Sequence, residues 1–359
     1  MPDLALASED LPARARRLGV STEALQVLAA CPVVDLHVDT FIPVRMWGYD
    51  ALHRHGPGWL GGRFFGHLDL PRLTDCGVAG AMWSITTNPF RSPAARWQTW
   101  QRNVQALRAL VERSTGRLAF VRDVGEFHAA RAAGAHAVLL SVQGGNAFQG
   151  APDLAAALAV DRLLTRVTLV HLTDAVYGPT SSPLSWRRSH GLSHEGHRLV
   201  EALDAARVFV DLAHIRPKAF WGAVKAHDNS LPLLVTHTGV AGVRPHWRNL
   251  DDDQVRAVAA SGGVVGIIFA EQFLRRRGGP DGVAMVLEHL QHVIDLVGDA
   301  HAGLGSDYDG AVVPPIGMRD GLGYARLVQA MLDRGWHGER IARILGGNAL
   351  RALAHLRPM

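Results

Sequence analysis

The sequence predicts an α/β fold, a single (β/α)8 TIM barrel, and three observations carry that expectation. Eight short runs of apolar and β-branched residues recur along the 359 residues, and most are followed by a stretch of helical character. The runs are almost continuously apolar, which means burial on both faces, the mark of parallel strands covered by helices. Eight β-then-α units in a chain of this length close naturally into a barrel. A doubly wound open sheet is the competing arrangement, but no GxGxxG follows the first run, so its dinucleotide signature is absent.

Taken in order, residues 1–30 read as an added helical extension that closes the bottom or side of the barrel. Strands are expected at 33–40 (VVDLHVDT), 79–86, 135–143 (AHAVLLSVQ) and 166–172 (RVTLVHL). Four more follow at 207–214, 231–238, 262–269 and 301–309. Helical patterns fill 93–114, 194–206 and 282–298. The segment 41–75 is rich in Gly, His and aromatics and reads as a long loop over the mouth, with 177–193 as a second. Long loops in compact domains usually serve function. Trp47, Tyr49, Trp59 and Trp186 either line the pocket or pack into the core. With no internal repeat and no low-complexity linker, 1–359 reads as one domain.

Composition excludes several functions. The net charge is +4, yet the cations are nearly all Arg scattered among acids, without the basic block of a nucleic-acid binder. No apolar run approaches the roughly 18 residues of a membrane span, and residues 1–20 hold no long apolar segment. Cys31 and Cys76 form no CxxC pair and no disulfide framework, which suits a reducing compartment. A cytoplasmic protein is the expectation, and a homodimer follows only from the general frequency of symmetric assemblies. A GxSxG elbow and a Walker loop are both missing.

The informative residues are polar groups at strand ends. His37 and Asp39 lie two apart, so on a strand both project to one face. Imidazole and carboxylate together suit a zinc-type ion, although a core histidine and a helix-capping aspartate would read the same way. Later runs add His171, His214, His237, Asp307 and Asp309 at the same ends. Buried imidazoles and carboxylates are costly unless paired or bound to metal. The strand ends are also where barrel enzymes build their sites, so a metal-type constellation is expected there.

These residues resemble the membrane (renal) dipeptidase family, binuclear zinc peptidases among the amidohydrolase-like barrels. The resemblance rests on DLHVDT, RVTLVHLTD, VDLAHI, LVTHTGV, WRNLDDDQV, GSDYDG and GGNALR, in that order and over nearly the whole chain. It implies two zinc ions, one held by His37 and Asp39 and the other by His214 and His237. A carboxylate at the end of the 135–143 run would bridge them. Asp307 would exchange a proton with the bridging water, His171 would stabilise the oxyanion, and Arg248 would hold the substrate's free carboxylate. A surface ion pair of Arg248 with Asp251 or Asp252 is the plainer reading of that arginine.

The chain departs from the family at the bridge, where Gln143 stands in place of glutamate. An amide offers one carbonyl oxygen to one cation, and its other arm is a donor. Asp174, where the family is expected to carry Asn, is a candidate to compensate. One ion or none is therefore open, and three functions follow. The chain is a metal-dependent dipeptidase-like hydrolase of a dipeptide or small amino-acid amide. Otherwise it is an enzyme with one or no metal adapted to another small-molecule reaction, or a ligand-binding protein without turnover.

Overall fold

The computed structural model describes residues 10–56, 58–186 and 189–358. Residues 1–9 of the expected extension, residues 187 and 188 of the second loop and the side chain of Trp59 lie outside the described residues. Nine strands are present among them: β1 (Val33–Val38), β2 (Val78–Thr86), β3 (Leu118–Phe120), β4 (His136–Gln143), β5 (Leu164–Thr168), β6 (Phe209–Asp211), β7 (Leu234–Thr238), β8 (Val264–Ile267) and β9 (Ala302–Leu304). Eight run in the parallel order β1-β2-β4-β5-β6-β7-β8-β9, with helices between them. The barrel closes through the segment after β9. Asp307 N–H donates to His37 O at 3.0 Å, Asp39 N–H donates to Tyr308 O at 2.8 Å, and Val38 bridges Tyr308 in parallel. The seam of the barrel thus runs through the predicted site.

The extra strand β3 pairs only with the first residues of β4, Leu118 facing His136 and Phe120 facing Val138. Farther along β4, from Leu140 onward, β5 is the partner. Three residues are too few to show periodicity, so β3 leaves no readable pattern in the sequence. The expected helices are found at Pro93–Arg113, His194–Ala205 and Val283–Val297. The first two are N-capped by Ser92 and Ser193, whose hydroxyls accept from Ala95 N and Gly196 N and satisfy otherwise unpaired amides. The extension holds two short helices rather than one, Leu11–Leu18 and Thr22–Ala30. Gly19, at φ 68°, separates them in a left-handed turn that suits glycine. The second helix packs on helix Gly323–Asp333, and Gln329 Oε1 accepts from Ser21 N at 2.7 Å.

Several strands stop short of the expected ends. β5 ends at Thr168, β6 at Asp211 and β9 at Leu304. The polar residues expected on those strands, His171, His214, Asp307 and Asp309, sit instead in the turns beyond. His214, Asp307 and Asp309 adopt φ of 65°, 58° and 66°, a left-handed conformation uncommon for residues with a side chain and concentrated at functional sites. Tight packing accompanies this geometry. A Cβ on Gly305 would lie 1.7 Å from Thr236 O, so only glycine lets the segment after β9 approach β7. No described helix is long and apolar enough to cross a membrane.

Candidate metal centre and active site

The centre assembles from six strand ends, those of β1, β4, β5, β6, β7 and β9. On β1, alternate residues share a face, and Asp35, His37 and, just past the strand end, Asp39 are all buried. Asp35 lies deepest and acts as a strut. Its carboxylate accepts from His37 N (2.9 Å), Ser306 N (3.0 Å) and the Tyr324 hydroxyl, fixing β1 against the segment after β9. His37 Nε2 then stands 3.5 Å from Asp39 Oδ1 and 3.5 Å from Asp307 Oδ1. Burial pushes the Asp39 carboxyl up to about 6, against the pull of His171, Arg166 and Arg45. Asp307 is raised well above the carboxylate range by burial and by the neighbouring Asp39 charge.

On β4, Gln143 is the last residue, and Gly144 at φ 98° turns the chain away at once. The amide nitrogen lies 3.3 Å from His214 Nε2 and 3.4 Å from His237 Nε2, and those two nitrogens are 2.9 Å apart. The His237 ring also overlaps that of His37, with centroids 3.9 Å apart. All three imidazoles are pushed well below the usual histidine range, chiefly by burial, so they are neutral at neutral pH. The same burial takes His171 down to about 4, and its ring meets His214 edge-on at 4.8 Å.

Arg248 is buried beside these groups, donating from Nη2 to His237 O at 2.6 Å, and its Nε finds no partner. Burial lowers it to about 10, with Asp307 and Asp211 opposing that fall. The surface-pair reading of Arg248 fails, because its two candidate partners are engaged elsewhere. Asp251 caps helix Asp252–Ala260, and Asp252 contacts His292 Nε2 at 2.8 Å. Asp174 does not replace the lost carboxylate either. Its two oxygens accept from Thr180 N (2.9 Å) and Trp186 N (3.0 Å), tying down the second loop. Asp309 likewise serves a loop, accepting from Gly66 N, His67 N and the Thr40 hydroxyl.

Two residues of the centre went unmarked in the sequence, although both lie inside its motifs. Arg166 of β5 is fully buried, and Asp211 at the end of β6 accepts from the Thr168 and Thr236 hydroxyls. A charged residue in an otherwise apolar run was the available signal. Of the aromatics, Trp47 and Tyr49 line a pocket of about 460 Å³ with Pro43, His55, Phe65 and Gly66. Trp186 is largely exposed.

The centre suits an ion by its own chemistry. His37, His237 and Asp307 bring ligand atoms within 4.8 Å of one another. His37 Nε2, Asp39 Oδ1, Gln143 Oε1 and Asp307 Oδ1 are buried without hydrogen-bond partners, and buried polar atoms rarely stay so. Imidazole nitrogen and carboxyl or amide oxygen are ligands a zinc-type ion accepts. The set fits one such ion, whereas a carboxylate-bridged pair lacks its bridge because position 143 is an amide.

Fold and site together define a hydrolase-type α/β barrel with a His/Asp centre at the C-terminal ends of its strands. The chain belongs to the membrane dipeptidase family (peptidase family M19), whose family model matches residues 21–357. Among solved structures it is similar to a dipeptidase AC, a metallo peptidase of family M19, at 30% identity and TM-score 0.77, covering 90% of this chain and 98% of that one. It is also similar to a metallo peptidase from Rhodobacter sphaeroides liganded with a phosphinate mimic of the dipeptide L-Ala-D-Ala. That likeness has 28% identity and TM-score 0.77, over 91% of this chain and 99% of the other. The dipeptidase verJ of Clonostachys rogersoniana is 28% identical over 351 residues, 92% of this chain and 86% of that protein.

Proposed function

We propose that this chain is a metal-dependent hydrolase that cleaves the amide bond of a dipeptide or small amino-acid amide, with zinc as the metal. The observation that carries the reading is the convergence of His37, Asp39, Gln143, His214, His237 and Asp307 beside the buried Arg248. The candidate ligands for the ion are His37, Asp39, Gln143, His214 and His237. When bound, zinc lowers the pKa of a water toward neutrality and polarises the scissile carbonyl.

The chain's own groups supply the rest. Arg248 offers a rigid guanidinium fork to the substrate's terminal carboxylate. Asp307 takes up a proton readily, because burial and Asp39 raise its carboxyl. It passes that proton to the leaving amine. His171, half-buried and neutral, donates an N–H to the oxyanion. The Rhodobacter protein's L-Ala-D-Ala mimic makes L,D-dipeptides sensible first substrates here. The free thiols Cys31 and Cys76 agree with a cytoplasmic setting.

The test is hydrolysis of matched L,L- and L,D-dipeptides and their C-terminal amides, with zinc supplied and then removed by chelator. Zinc-dependent cleavage with preference for the free carboxylate is expected. Zinc-loaded, folded protein that cleaves none of them overturns the reading.

A further inference from the structure

Two histidines of the centre are held from behind by opposite kinds of partner. Behind His237, the Thr236 hydroxyl donates to Asp211 Oδ2 at 2.8 Å, which leaves its oxygen to accept. His237 Nδ1 lies 2.8 Å from that oxygen, so Nδ1 carries the proton and Nε2 presents a lone pair. Behind His37 stands Arg166, whose Nη2 is 2.8 Å from His37 Nδ1. A guanidinium can only donate. Nδ1 of His37 therefore accepts, and the proton of this imidazole sits on Nε2, 3.5 Å from both Asp39 and Asp307.

A protonated ring nitrogen has no lone pair for a metal. For His37 Nε2 to ligate, Arg166 would have to withdraw. It is held in place by Asp211 Oδ2 (3.3 Å), Val142 O (3.2 Å), Ser141 Oγ (3.3 Å) and the Thr168 hydroxyl, and it is fully buried. On the other side of the centre the opposite holds. Gln143 Oε1 has no partner, and half a turn of the amide would set it toward His214 Nε2 and His237 Nε2 in place of the nitrogen.

Resting on the hydrolase reading above, we propose that Arg166 is a positioning residue that keeps His37 from ligating metal, so that the chain holds a single divalent ion on His214, His237 and the Gln143 carbonyl. The guanidinium then provides fixed positive charge behind the His37–Asp39–Asp307 group. His37 then turns its Nε2–H toward the two carboxylates, 3.5 Å from each, and is not a ligand. The missing carboxylate at position 143 and the arginine behind His37 thereby act together, leaving one ion beside a built-in cation.

The experiment is elemental mass spectrometry of the full chain after loading with excess zinc and desalting. It is paired with long-range 1H–15N correlation of histidine-labelled zinc-loaded protein, with His37→Gln assigning the His37 signals. One zinc per chain is expected, with His37 protonated on Nε2 and bare on Nδ1. Arg166→Lys should keep that tautomer, because lysine also donates. Gln143→Glu alone should stay at one zinc, and Gln143→Glu with Arg166→Met should take up a second. Two zincs on the unaltered chain, no zinc at all, a second zinc in Gln143→Glu alone, or a bare Nε2 on His37 would each overturn the proposal. If the Arg166→Met chain does not fold, the unaltered protein still decides through its zinc count and tautomer. Dipeptide hydrolysis on the same samples separates the two readings. One zinc without turnover sinks the hydrolase and leaves this assignment, and two zincs with turnover do the reverse.

Discussion

Arg248 donates to the carbonyl oxygen of His237 at 2.6 Å, while its Nε, equally buried, has no partner. One edge of the guanidinium is thus fixed by the strand end that carries a metal-ligand candidate, and the rest stays available to an anion. Replacing it with methionine should raise KM for dipeptides and leave kcat nearly unchanged. The loss of a charge-assisted pair is worth about 2 kcal/mol, or about 30-fold in kcat/KM. Dipeptide amides, which lack the carboxylate, should lose far less. Equal losses on acids and amides would remove Arg248 from substrate binding.

His171 is assigned to the oxyanion, so His171→Ala should act on kcat. A fall of about 100- to 1,000-fold is the usual consequence of removing one such donor, with KM and zinc content little altered. Steady-state kinetics and elemental analysis on one preparation check this. A loss of zinc in place of turnover would make His171 a ligand.

Asp307→Asn should leave the fold and the zinc content intact while lowering kcat by about 100-fold or more, the scale of general acid–base assistance. Its pH–rate profile should also lose the limb that reports the raised carboxyl. An unchanged profile would place the proton transfer elsewhere.

Far from the centre, His136 gives a stability prediction. Its Nδ1 faces Val78 O at 2.9 Å, its Nε2 accepts from Trp83 Nε1 at 3.1 Å, and burial lowers it from 6.5 to about 4. A base with a depressed folded pKa is neutral in the fold and charges more easily when unfolded. Its contribution is therefore intact above pH 6.5 and is lost as pH falls toward 4, by about 3 kcal/mol in all. Denaturant melts across that window should show a shallower decline in His136→Gln. An identical decline would mean that other groups set the acid limit.

Arg72 organises the loop over the mouth. Its guanidinium donates to the carbonyls of Gly66, His67, His55 and Gly56 at 2.6–3.1 Å and pairs with Asp69 at 3.1 Å. Arg72→Met leaves Asp69 buried without its partner and should destabilise the chain by about 3–5 kcal/mol. Limited proteolysis should then cut first within 54–67. Protection equal to the unaltered protein would show that the loop is held by other contacts.

The barrel itself was legible, because strands covered on both faces need apolar runs whatever their exact ends. His37, Asp39, Gln143 and His237 were placed correctly for the same reason: each sits on a strand or at its tip, where local pattern fixes direction. His171, His214 and Asp307 were put on strands, whereas they occupy turns beyond them. Nothing local announces a left-handed residue other than glycine. Those conformations are imposed by neighbouring strands, as the approach of Gly305 to Thr236 illustrates. By itself the sequence determined the fold, the family pattern and the missing carboxylate at position 143. The tertiary structure alone decided which partners stand behind His37 and His237, that Asp174 serves a loop, and that Arg166 reaches His37 across the barrel. The Arg166–His37 hydrogen bond joins residues 129 positions apart, and its direction is set by the partner that can only donate.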